Sequence, residues 1–316
     1  MNINAFVRDR ELASRIAKRG TESDIALFNY KEGEKHLNVV SPIRYPDKLS
    51  SLIFSLHMAD VAVLDISEMN REVGEIIVAL SSLNMARGAV VLRNYLLPEQ
   101  VEPFLKETPL KDYRFLEDSP EVVREFLFSC EGGSGDSNGP TRVVIDHHFP
   151  VKGVGLVALG IVVSGTVERH QKLQLFPTGK EAQVRSIQVH DVDVNSAGVG
   201  SRVGLALKNV KEDEMWRGMV LAEEGVDVFD DEVRIRLKAS PFFGKGLASG
   251  DVVHLFAGLQ MIPARIVAGE VAAGKDSLLT LMPEKHFADY PGMKRLLAHI
   301  DSPMPRIIGP FSAFNG

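Results

Sequence analysis

The chain of 316 residues is long enough for two or three domains with separate hydrophobic cores. Its 45% hydrophobic and 25% charged residues exclude a disordered chain, and no apolar run reaches the ~18–20 residues of a membrane helix. A net charge of −6 excludes wholesale wrapping of nucleic acid but not a local RNA site, and a single cysteine, Cys130, excludes an intramolecular disulfide.

In chain order, residues 3–7 form a short apolar run, and Asp9 can cap a helix carrying Leu12, Ala13 and Ile16, with Gly20 as its stop. Strands over residues 25–30 and 36–40 are joined by the turn Lys31-Glu32-Gly33-Glu34. Leu49, Leu52, Ile53 and Leu56 mark one helix face, and a strand follows over residues 61–66. The next helix carries Val73, Ile76, Ile77, Leu80 and Leu83, ahead of a strand over residues 89–92. Pro98 suits the first turn of a helix with Val101, Phe104 and Leu105 inward. A brief strand over residues 113–116 leads to a last helix, capped by Ser119 with Pro120 first. The order βαββαβαβαβα predicts an α/β domain over residues 1–130, a mostly parallel sheet with helices on both faces.

Residues 131–140, EGGSGDSNGP, contain no apolar side chain and read as a linker. Beyond it come short β-branched runs punctuated by glycine, over residues 142–145, 155–163, 172–176, 183–189 and 202–207. This spacing predicts an antiparallel β-barrel over residues 141–225. Five further strands, near residues 232–237, 251–256, 262–267, 277–281 and 295–299, predict a second barrel over residues 226–316.

The stretch IDHHFPVKGVG at residues 145–155, followed by Gly160, Gly165 and Thr166, resembles domain II of translational GTPases. VRSIQ at 184–188, AGVGSRVGL at 197–205 and Arg217-Gly218-Met219-Val220 continue the likeness. It is nearest the SelB-like branch of the elongation factor Tu-type family, including archaeal relatives proposed to serve pyrrolysyl-tRNA. VHLFAGLQ at 253–260 and residues 297–309 resemble domain III more loosely, so the resemblance covers nearly the whole chain.

A GTPase needs a glycine-rich loop ending in Gly-Lys-Ser/Thr to cradle phosphates and Mg²⁺. At that junction stand Arg8, Asp9, Arg10 and Glu11, with no glycine and with carboxylates where phosphate should lie. The Asp-x-x-Gly position holds Ser41-Pro42-Ile43-Arg44, and the Asn-Lys-x-Asp position retains only Asn94. The nucleotide domain is therefore expected to be degenerate. GTP and Mg²⁺ are expected only if the site is rebuilt, with Arg8 or Arg10 on an anion; otherwise neither cofactor nor enzymatic activity is expected. A near match at residues 269–276, GEVAAGKD, opens no helix and reads as a β-turn.

In SelB-like factors the domain II barrel holds the aminoacyl end of tRNA. The resemblance carries its pocket onto Asp146, His147 and Arg202, with the aspartate on an α-amino group and the cations on a polar side chain. His147 stands where SelB has arginine, which leaves selenocysteine specificity open. An ion pair between Asp146 and Arg202 that merely stabilises the barrel is the alternative.

His147 and His148 are adjacent and face opposite sides of a strand, so no metal site is expected. Cys130 reads as a helix-end residue, not a nucleophile, and residues 190–193 as a solvated barrel edge. The expected partners are aminoacyl-tRNA or the ribosome, without a GTP-driven cycle. Another translation protein docked on the degenerate domain is the alternative. DNA and membranes are not expected partners, and the cytoplasm is the expected location.

Overall fold

The computed structural model describes residues 1–130, 132 and 135–314. Glu131, Gly133 and Ser134 of the predicted linker, and the last two residues of the predicted second barrel, lie outside the described residues.

The first domain runs β1 (Asn2–Val7), α1 (Arg10–Ile16), β2 (Lys18–Glu22), β3 (Ile25–Glu32), β4 (Lys35–Pro42), α2 (Leu49–His57), β5 (Val61–Ile66), α3 (Arg71–Ser82), β6 (Gly88–Leu92), α4 (Pro98–Leu105), β7 (Arg114–Leu116) and α5 (Pro120–Ser129). Its sheet has the order β2-β3-β4-β1-β5-β6-β7, parallel from β4 to β7 and antiparallel at the β2 edge. Alternate residues of β1 and β5 point to opposite faces. Ile3, Ala5, Val7, Val61 and Val63 pack with Leu12 and Ile16 of α1 and Val123 and Leu127 of α5. Phe6, Ala62, Leu64 and Ile66 pack with α2, α3 and α4 on the other face. Both faces are thus covered, as the near-continuous apolar strands require.

Asp9 caps α1, its carboxylate accepting from the Glu11 amide at 2.7 Å, and Ser119 caps α5. Cys130 is the C-terminal cap of α5. Two expectations need correction. Gly20 does not stop α1, which ends at Ile16; it lies within β2, an exposed edge strand whose sequence KRGTE has no apolar alternation to betray it. Phe104 does not face the core but is 54% exposed, while Val101 and Leu105 are buried.

The first barrel closes through six strands, Lys172–Phe176, Val220–Ala222, Arg142–Val151, Gly155–Ser164, Arg202–Lys208 and Lys180–Val189, the last pairing back to the first. Gly160 lets two of them approach: a Cβ there would stand 2.4 Å from the Val144 carbonyl oxygen. The barrel encloses its own apolar cluster. Residues 190–191 form a two-residue hairpin turn at its edge, both at positive φ.

The second barrel closes in the order Val233–Lys238, Asp276–Pro283, Gln260–Ala268, Val252–Ala257, Arg295–Ala298 and Ile307–Phe314. The last strand, not predicted, completes the closure by pairing with both its neighbours. GEVAAGKD forms a turn between two strands, as expected. This barrel's core is continuous with the α2–α3 side of the α/β domain, where Phe54 meets Phe256 edge-on at 6.0 Å. Buried Glu75 receives Arg306 Nη2 at 2.6 Å and Nε at 3.1 Å across that junction. No helix among the described residues is long and apolar enough to cross a membrane.

Candidate functional site

Asp146 sits on the strand Arg142–Val151 beside a bulge, which turns its carboxyl into the barrel wall at 1% exposure. Arg202, at the start of Arg202–Lys208, donates through Nη2 to Oδ1 at 3.0 Å and through Nε to Oδ2 at 3.3 Å. His147 Nδ1 lies 2.7 Å from Oδ1. Burial pushes the Asp146 carboxyl up, but Arg202 and His147 outweigh it and hold it below the usual carboxylate range. The three residues singled out in the barrel are therefore brought together. The Asp146–Arg202 ion pair forms.

The residues that surround them had no predicted role. Arg217 Nε donates to the Asp146 carbonyl oxygen at 3.0 Å, and its Nη1 grips both oxygens of Asp24 at 2.7 and 2.8 Å. Ser23, next to Asp24 on the β2–β3 loop, lies 2.9 Å from His147 Nε2. A loop of the α/β domain thus roofs His147. Arg217 belonged to a recognisable stretch, but Asp24 lies far away in another domain, where no local spacing could pair them.

Arg202 also lines a cleft of about 970 Å³ between the β2 edge and the barrel. Lys18, Arg19 and Thr21 stand on one side, and the half-exposed apolar residues Phe149 and Val154 on the other. Asp146 and His147 do not line it. Arg202 is the member of the trio that lines the cleft, and Asp146 holds its guanidinium in place.

At the C-terminal ends of β1, β5 and β6, the expected nucleotide position, the structure places a charge network. Arg93, just after β6, lies 3.2 Å from Asp9, 2.7 Å from Asp65 and 3.3 Å from Asp118. The Arg93–Asp65 contact is close but poorly aligned for a hydrogen bond. Burial lifts the Asp65 carboxyl to about 6, against the opposing pull of Arg93. Arg8 donates to the Asp65 carbonyl oxygen at 2.9 Å and approaches Glu72 at 3.5 Å. Arg10 turns outward to Glu22 at 2.8 Å. Buried Ser41 donates to the Arg8 carbonyl oxygen at 3.3 Å, while Asn94 is exposed in a turn at φ 52°. Only Arg8, Asp9 and Ser41 of the five predicted positions gather at the strand ends. Asp65 was the missed signal: a lone acid in an otherwise apolar, fully buried strand.

Residues 155–222 match the family model of elongation factor Tu domain 2. An uncharacterized protein of Methanocaldococcus jannaschii is 37% identical over 262 residues, spanning 83% of this chain and 84% of that protein. The selenocysteine-specific elongation factor of the same organism is 27% identical over 272 residues, 79% of this chain but 58% of its own length. Translation elongation factor SelB from Methanococcus maripaludis, in complex with the GTP analogue GppNHp, has the same fold. It superimposes with a TM-score of 0.81 at 20% identity, covering 99% of this chain and 78% of that one. With its parallel-rich sheet, two closed barrels and these relatives, the chain belongs to the elongation factor Tu/SelB-like family of translational GTPases.

Proposed function

We propose that the chain works in translation by holding the aminoacyl end of a tRNA, or a ribosomal surface, without conventional GTP binding or hydrolysis. The observation that carries this reading is the contrast in charge between the two sites. Arg202 faces the open cleft of the first barrel, whereas Asp9, Asp65 and Asp118 converge on Arg93 where a nucleotide's phosphates would lie. Carboxylates at that place repel phosphate and occupy the arginines around them, Arg93 among all three and Arg15 on Asp118. Arg8 and Arg10, the residues on which a rebuilt nucleotide site would depend, are engaged with Asp65, Glu72 and Glu22. No catalytic residue is assigned, and neither nucleotide nor Mg²⁺ is part of the proposed cycle.

In the cleft, the Arg202 guanidinium receives a carbonyl-bearing or otherwise polar aminoacyl group, and Phe149 and Val154 supply apolar contact. Recovering the native protein from cells and sequencing its bound RNA tests the reading. Enrichment of tRNA or ribosomal RNA is expected, and the absence of both would overturn it. Calorimetric titration with GTP and GDP in Mg²⁺ tests the nucleotide half separately, where micromolar binding would overturn it.

A further inference from the structure

A cavity of about 300 Å³ lies where all three domains meet. It opens beside Asn4 and Asp60, away from the strand ends that carry Asp65 and Arg93. Its volume is at the lower end of small-molecule pockets, roughly 300–1,000 Å³. Arg142, the first residue of the strand Arg142–Val151, reaches into it.

Arg142 is 8% exposed, its Nε has no hydrogen-bond partner, and no carboxylate among the described residues pairs with its guanidinium. The guanidinium sits between the Tyr290 ring, 5.8 Å from its centroid, and the backbone at Gly225, where a Cβ would stand 2.3 Å from Nη2. An arginine this deep is normally paired, because an uncompensated buried charge is costly. Its planar fork of N–H donors matches carboxylate and phosphate oxygens.

Two other groups complete the setting. Lys294 Nζ donates to the Leu56 carbonyl oxygen at 3.1 Å and to that of Ala59, leaving its third proton for a ligand. His57 Nδ1 lies 2.6 Å from the Gly258 carbonyl oxygen, so it is the protonated nitrogen, and buried Nε2 is a lone pair without a partner. Asp60 and Asp136 also line the cavity. Asp60 accepts from Asn4 at 3.2 Å and Asp136 from the Asn138 amide at 3.0 Å, and neither forms an ion pair with Arg142.

We propose that this three-domain cavity binds a small anion through its phosphate or carboxylate oxygens, held by Arg142 and Lys294. A hydroxyl or amino group on the same molecule donates to His57 Nε2. His57 belongs to the α/β domain, Arg142 to the first barrel, and Tyr290 and Lys294 to the second, so the bound anion ties the three together.

The test is the melting temperature of the full chain at constant ionic strength, with phosphate, pyrophosphate, acetate or glutamate replacing chloride. A saturable rise is expected with one class, as for any ligand that binds only the folded state. A rise with phosphate but not acetate assigns a phosphoryl ligand, and the reverse assigns a carboxylate. Arg142→Gln should abolish the rise while raising the melting point in chloride, since the unpaired buried charge is gone. Should that variant fail to fold, Arg142→Lys keeps the charge without the fork and should bind about tenfold more weakly by calorimetry. An equal, non-saturating rise in wild type and variants would reflect general salt exclusion and overturn the proposal. So would the absence of any response at millimolar anion.

Discussion

Asp65 and Asp146 are both buried aspartates facing an arginine, yet they titrate on opposite sides of the ordinary carboxylate range. At Asp65 the carboxylates of Asp9, Asp65 and Asp118 all approach Arg93, Asp118 is also held by Arg15 at 2.8 Å, and the Arg93–Asp65 contact is poorly aligned. Burial wins there. At Asp146, the more deeply buried of the two, one carboxylate is held by Arg202 at both oxygens and by His147 as well. What decides the balance is how well the cation is aligned on the carboxylate, rather than depth. In the first cluster the arginine is misaligned on Asp65; in the second it is fixed on both oxygens.

Removing the cation from the well-served site should have the largest effect. Arg202→Ala leaves Asp146 buried with His147 alone and is expected to cost ~3–5 kcal/mol in urea unfolding. A loss below ~1 kcal/mol would show that the pair contributes no more than a surface salt bridge. In binding assays Arg202→Lys, which keeps the charge, should weaken aminoacyl-tRNA binding more than deacylated-tRNA binding. Equal weakening would argue against an aminoacyl pocket.

The under-served site should show itself in pH dependence. The folded pKa of Asp65, about 6, lies above the ordinary aspartate value of 3.8, so the unfolded chain releases this proton first. The contribution of Asp65 to stability is therefore greatest below pH 3.8 and is lost as the pH rises through about 6. A shift of this size corresponds to a loss of ~2–3 kcal/mol. Urea midpoints across this window should fall less in Asp65→Asn than in wild type; parallel curves would refute the strained environment. Asp146, with a depressed pKa, should act in the opposite sense. Its contribution is present above the ordinary carboxylate pKa and is lost as the pH falls through its lower folded value, so Asp146→Asn should remove that acid-side loss.

The smallest effect is expected at Tyr95, beside Asn94 in the loop where a GTPase reads guanine. Tyr95 is fully exposed, and Tyr95→Ser should change stability by no more than ~0.5 kcal/mol. A larger loss in thermal unfolding would mean that this loop supports the charge network.

The α/β domain was legible because its strands and helices alternate with distinct periods and carry strong caps at Asp9, Ser119 and Pro120. β2 was missed because an edge strand exposed along most of its length leaves no apolar pattern, and Ile307–Phe314 because its Gly309-Pro310 step reads as a turn. The Asp146, His147 and Arg202 cluster was legible through family likeness rather than through spacing. Its outer ring was not: Ser23 and Asp24 reach it only because the β2–β3 loop folds over the barrel. The Arg93 network joins residues from four separate segments, each unremarkable on its own.

The apolar cluster that runs unbroken from the α/β domain into the second barrel, stitched by Glu75 and Arg306, makes these two parts one cooperative unit. The first barrel keeps most of its core to itself, lending Val144, Ile161, Val220 and Ala222 to the shared cluster, and its other ties to the α/β domain are largely polar, Asp24 with Arg217 and Asn2 and Asn4 with residues 199–201. Thermal unfolding is expected to divide the chain into two units along that polar seam. Their boundary follows the candidate aminoacyl cleft, so thermal opening of the molecule would begin where the proposed ligand sits, and ligand binding would be felt first in the lower of two calorimetric transitions.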